Sequence, residues 1–134
     1  MGCCGSSERF ALKVEVIKAS GLPDVDIRGK CDPFVEVTVD GCDPQKTETK
    51  KNEQEPVWNQ TMLFEDVRLG KNVRFKVYDW DRLTSNDFIG GHELGQALPD
   101  KYNEEKEFDF DLIKDGDVSG RLWVKITFIH EKPE

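Results

Sequence analysis

The feature that most constrains this chain is a two-residue alternation of apolar and polar side chains, repeated in short blocks. Leu12, Val14 and Val16 alternate with Lys13 and Glu15, and Val35, Val37 and Val39 with Glu36 and Thr38. Val73, Phe75 and Val77 flank Arg74 and Lys76, and Phe108, Phe110 and Leu112 flank Asp109 and Asp111. The last block sets Leu122, Val124, Ile126 and Phe128 against Lys125 and Thr127. Successive side chains on a strand point to opposite faces, so each block predicts a strand with one buried face. Turn formers stand between them: Gly21 with Pro23, Gly29, Gly41, Gly70-Lys71-Asn72, Gly90-Gly91 and Asp115-Gly116. No block has a sustained helical period, although residues 100–106 leave room for one short helical turn. Seven or eight short strands without strand–helix–strand alternation predict an all-β, antiparallel β-sandwich.

At 134 residues the chain is long enough for one domain with a real core. Its bounds are expected at residues 10–130, after a small, polar stretch 1–9 and before a charged tail 131–134. The net charge of −8 disfavours attraction to phosphate backbones, so no nucleic-acid partner is expected. No apolar run reaches the roughly 18 residues of a membrane helix, and the first apolar stretch follows charged residues without a secretory cleavage pattern. The four cysteines are therefore expected as thiols in a reducing compartment. Cys31 and Cys42 are expected as free thiols in loops, with no disulfide or zinc spacing around them.

Two stretches concentrate carboxylates at strand mouths: Pro23 to Pro33, and Tyr78 to Gly90. Carboxylates about 4 Å apart repel by roughly 1 to 4 kcal/mol per pair, depending on the local dielectric. Gathering them at one end of a fold calls for a cation. Oxygen donors without His or Cys select hard ions, and a flexible, loop-built cage favours calcium over magnesium.

The same stretches resemble the C2 domain family. Gly21-Leu22-Pro23 before Asp26 and Cys31-Asp32-Pro33-Phe34-Val35 after it resemble the family's first calcium-binding loop. Glu55-Pro56-Val57-Trp58-Asn59 resembles its asparagine-proline-X-tryptophan-asparagine signature, with Glu55 where Asn is usual. Val77-Tyr78-Asp79-Trp80-Asp81 through Asp87-Phe88-Ile89-Gly90 resembles the third loop. The resemblance implies an eight-stranded C2-like Greek key, and the order of first and last strands implies the circularly permuted, type II arrangement. It implies Asp26, Asp32, Asp79, Asp81 and Asp87 as ligands of about two Ca2+, helped by the carbonyls of Val25 and Trp80 and the hydroxyl of Thr84. Asp24 is expected to face solvent. It also implies an anionic phospholipid membrane as partner, with Ile27 and Leu83 dipping among the headgroups and Arg28 and Arg82 beside them.

Loop charge agrees with that partner. Six acids (Asp24, Asp26, Asp32, Asp79, Asp81, Asp87) against Arg28, Lys30 and Arg82 leave −3, and two divalent ions turn it to +1. Lys46, Lys50 and Lys51 lie where some family members bind phosphoinositides, but Glu48 and Glu53 interrupt them, so a solvated strand face is expected.

Met1-Gly2-Cys3-Cys4-Gly5-Ser6 fits a myristoylation pattern with Gly2 as acceptor, and Cys3 and Cys4 are placed for palmitoylation. One myristoyl chain holds a membrane only marginally, so a second acyl chain or the calcium-loaded loops would complete the anchor. The expected protein is a monomer on the cytoplasmic face of a membrane, the plasma membrane foremost. The alternative is an acylated scaffold whose domain binds a protein partner. Catalysis is not expected: His92 and His130 lie far apart without a nucleophile, and Asp79-Trp80-Asp81 alone makes no nucleotide-sugar site.

Overall fold

A computed structural model of the protein describes residues 9–23, 31–68, 70–81, 85–96 and 102–130. The strands are β1 (Arg9–Ser20), β2 (Pro33–Val39), β3 (Gln45–Lys46), β4 (Val57–Arg68), β5 (Asn72–Asp79), β6 (Asp87–Gln96), β7 (Glu105–Lys114) and β8 (Asp117–His130). They pair antiparallel in the order β3-β2-β5-β6-β7-β8-β1-β4. Gly91 with Ile113 is the one ladder pair joining β6 to β7 among the described residues. The strand order therefore divides there into two leaves, β4-β1-β8-β7 and β6-β5-β2-β3, which make the all-β sandwich the alternation predicts.

The inward residues are those the alternation selects. Leu12, Val14, Val16, Val35, Val37, Val39, Phe75, Val77, Leu112, Leu122 and Val124 are fully buried. Full burial of such side chains contributes about 1.5 to 3 kcal/mol each. The Phe75 ring of one leaf lies 5.2 Å from the Phe110 ring of the other, which ties the leaves at mid-core. At the opposite seam, Gln45 Nε2 donates to the Leu63 carbonyl at 2.8 Å, and the Glu48 amide donates to Gln60 Oε1 at 2.8 Å.

Two expectations are corrected. Gly90-Gly91 is not a turn but lies inside β6. A Cβ on Gly90 would collide with Ser119 Oγ and stand 3.0 Å from Leu112 Cβ, so glycine is needed there for close approach of the leaves. Residues 105 and 106 belong to β7, paired to Thr127 and Ile126. Asn103 just before them takes φ 63° and donates to the Phe128 carbonyl at 2.6 Å, so the ladder with β8 overrides a helical turn. Cys31, ahead of β2 and outside any strand, makes no disulfide, as expected, and is buried against the core.

His92 bridges the β6–β7 seam by stacking on Phe110, with ring centroids 4.1 Å apart. Burial pushes its imidazole below the ordinary value, while a hydrogen bond to the Asp111 backbone pulls the other way.

Antiparallel pairing fixes the poles of the sandwich. The last residues of β1, β3, β5 and β7 and the first residues of β2, β4, β6 and β8 share one end. Strand β1 begins and β8 ends side by side at the other, where Phe10 pairs with His130.

Candidate cation-binding site

Strand pairing, rather than any local motif, assembles the carboxylates. Asp79 at the end of β5 pairs with Pro33 at the start of β2 on one side and with Asp87 at the start of β6 on the other. Neighbouring strands lie about 4.8 Å apart. Asp32, Asp79 and Asp87 therefore sit on three adjacent strand ends, and Asp81 follows two residues beyond Asp79.

The carboxylates differ in environment. Asp79 is 7% exposed, and its Oδ1 accepts a hydrogen bond from the Asp32 amide at 2.8 Å. The Trp80 amide returns the link by donating to the Asp32 carbonyl at 2.8 Å, so the two acidic segments are stitched together. A buried carboxylate without such a donor would be costly. Asp32 and Asp81 are half-buried and Asp87 is exposed. The Asp81 amide donates to Asn86 Oδ1 at 2.9 Å, which pins residue 81 against the strand that carries Asp87.

The β3–β4 segment braces the same end, a feature the sequence reading missed. Its Asn52 amide donates to Asp32 Oδ1 at 2.6 Å. The Glu53 amide donates to the Cys31 carbonyl at 2.7 Å, and the Lys50 amide to the Pro33 carbonyl at 3.0 Å. Asp32 thus emerges between two backbone clamps. Glu55, the departure from the asparagine signature, accepts from the Gly21 amide through Oε2 at 3.0 Å and so holds the end of β1. Trp58 is buried and donates its indole N–H to the Glu48 carbonyl at 3.0 Å.

Of the three lysines, Lys46 lies exposed on β3 as expected, whereas Lys50 and Lys51 follow it outside any strand. Lys46 Nζ lies 5.8 Å over the ring of Phe34 on the neighbouring strand β2, and Lys50 Nζ is 3.6 Å from Glu48. Lys51 sits in the β3–β4 turn, its Nζ 4.7 Å over the Trp80 ring.

Among the described residues, no three His, Cys, Asp or Glu side chains stand in metal-holding geometry. Asp26, Val25 and Thr84 lie outside the described residues, as do Ile27, Arg28, Arg82, Leu83, Gly2, Cys3 and Cys4. The donor chemistry nevertheless fits a hard cation. Each carboxylate offers two oxygens with about four lone-pair sites, so accepting one amide does not exhaust Asp32 or Asp79. No imidazole lies in the strand ends that carry these acids.

Residues 10–112 match the sequence model described as C2 domain. The chain is 32% identical over 141 residues to Synaptotagmin-3 of Arabidopsis thaliana, covering 92% of this chain and 25% of that protein. It is 26% identical over 125 residues to the 16 kDa phloem protein 2 of the same plant, covering 87% of this chain and 80% of that one. A solved C2 domain of plant Extended Synaptotagmin 1 matches with a TM-score of 0.84 at 28% identity, covering 94% of this chain and 98% of that one. The chain therefore spans a quarter of the length of one curated relative and most of the other.

Proposed function

Since the chain belongs to the C2 domain family, we propose that it is a calcium-dependent phospholipid-binding module that docks its acid end on anionic headgroups. The observation that carries this reading is the buried Asp79 carboxylate, stitched to Asp32 and paired across the sheet with Asp87. In this reading Asp26, Asp32, Asp79, Asp81 and Asp87 hold about two Ca2+, with the carbonyls of Val25 and Trp80 and the hydroxyl of Thr84 adding oxygens. Bound calcium supplies positive charge and open coordination positions for lipid phosphate oxygens. Ile27 and Leu83 enter the headgroup layer, and Arg28 and Arg82 meet its phosphates. The domain, taken as residues 10–130, acts without catalysis, as a monomer at the cytoplasmic face of a membrane. The place of β1 between β4 and β8 supports the type II arrangement.

Co-sedimentation of unacylated protein with phosphatidylserine vesicles tests the reading. An anionic surface contributes about 1 kcal/mol per unit charge brought near it. The swing from −3 to +1 then corresponds to roughly a thousandfold in partitioning, so the protein pellets with calcium and stays in solution with chelator. Protein that stays in the supernatant at saturating calcium sinks the reading and favours an acylated scaffold that binds a protein partner.

The amino-terminal stretch is a separate proposal: myristoyl on Gly2, with palmitoyl on Cys3 and Cys4 as the second signal. Gly2→Ala is expected to move the protein from the membrane to the soluble fraction of cells at resting calcium. Continued membrane recovery of the variant would refute the anchor.

A further inference from the structure

The turn between β3 and β4 brings a permanent cation to the acid end. Lys51 is exposed, yet its ammonium is held 4.7 Å above the indole of Trp80, the residue between Asp79 and Asp81. Its backbone neighbours fix the turn against the acids: the Asn52 amide is bonded to Asp32 Oδ1, and the Lys50 amide to the Pro33 carbonyl. Trp80 is bound in turn to the Asp32 carbonyl through its own amide. Lys51 therefore rides on the same stitched unit as the carboxylates. The other two lysines of the region are engaged elsewhere, Lys46 over Phe34 and Lys50 with Glu48.

Resting on the reading above, we propose that Lys51 is a built-in counter-cation that acts with opposite sign on the two steps of membrane docking. In solution its charge offsets part of the carboxylate field and repels an incoming divalent ion, so it weakens metal loading. At an anionic membrane the same charge faces lipid phosphate and strengthens attachment. A face of an aromatic ring attracts a cation but does not neutralise it, so the ammonium keeps its full charge while its position is fixed. The device makes the acid end respond to calcium and anionic lipid together more than to calcium alone.

The test compares the full, unacylated chain with Lys51→Gln and Lys51→Arg. Across a protein surface and partly screened by salt, one removed charge changes divalent affinity by about two- to fivefold. Calorimetric titration with calcium is expected to show Lys51→Gln binding tighter by that factor. Co-sedimentation with phosphatidylserine vesicles at saturating calcium is expected to require about fivefold more lipid for half binding. Lys51→Arg, which keeps charge and ring contact, matches the parent in both. In chelator, the emission of Lys51→Gln shifts only in the part that a Trp80→Phe blank removes. A purely structural lysine would move both affinities the same way, and that result, or no change in either, overturns the inference. A parent chain with a flat calcium titration overturns the functional reading first and this inference with it.

Discussion

Calcium affinity is expected to fall at least a hundredfold in the double variant Asp79→Asn, Asp81→Asn, while the calcium-free protein keeps its melting temperature. Groups that merely support metal ligands cost 10- to 100-fold when removed, so two carboxylates proposed as direct ligands set that range as a floor. The fold survives because an asparagine oxygen can still accept the 2.8 Å hydrogen bond that the Asp32 amide makes to Asp79 Oδ1. Removing two like charges also relieves repulsion at the strand ends. Asp79→Ala provides the contrast. It leaves the Asp32 amide without its acceptor at a nearly buried position, which costs about 1 to 3 kcal/mol of stability besides the metal. Calorimetry that finds the double variant unchanged in calcium affinity would remove both residues from the site.

The second large effect lies in the core that positions the site. Phe75→Ala is expected to cost about 3 to 5 kcal/mol in urea unfolding. The ring is fully buried and meets Phe110 across the sandwich at 5.2 Å, so its loss opens a cavity between the leaves. Domains have total stabilities of about 5 to 15 kcal/mol, so the variant stands near the edge of folding. Because Phe75 lies four residues before Asp79 on β5, loosening this strand also loosens the acid end. Leu63→Ala is the control. That side chain is 47% exposed on β4, and its loss should move stability by no more than about 0.5 kcal/mol. A Phe75→Ala cost below about 1 kcal/mol would mean that the core closes over the gap.

Period-two patterning makes five of the strands legible, because each buries one face and exposes the other. Strand β6 escapes it for a physical reason. Gly90 and Gly91 carry no side chain to alternate, and the close packing of the leaves that requires them is a tertiary fact. Strand β3 has two residues and no pattern to read. In β4 the polar Gln60 fills the inward position between Trp58 and Met62, and Asp66 takes φ 61° where the pairing with β1 slips between Phe10 and Leu12, so the alternation breaks between Phe64 and Val67. At the candidate site, the gathering of Asp32, Asp79, Asp81 and Asp87 at one end can be anticipated because acids at strand mouths are conspicuous in sequence. The roles of Asn52, Lys51 and Glu55 cannot. They depend on the β3–β4 connection crossing from one leaf to the other over the acid end, a relation set by topology alone.

The start of β1 beside the end of β8 has a consequence for orientation in space. Strand β1 runs from the pole where β8 ends to the pole that carries the acids. Its 12 residues make a rod roughly 36 Å long. The seven residues from Gly2 to Glu8 reach at most about 25 Å when fully extended. That leash is shorter than the rod. With the rod upright, an acyl chain on Gly2 would therefore keep the acid end away from its own bilayer. A single bilayer can meet both poles only if the rod lies along its surface. An upright rod, anchored at one pole, would offer its acids to a second surface facing the first.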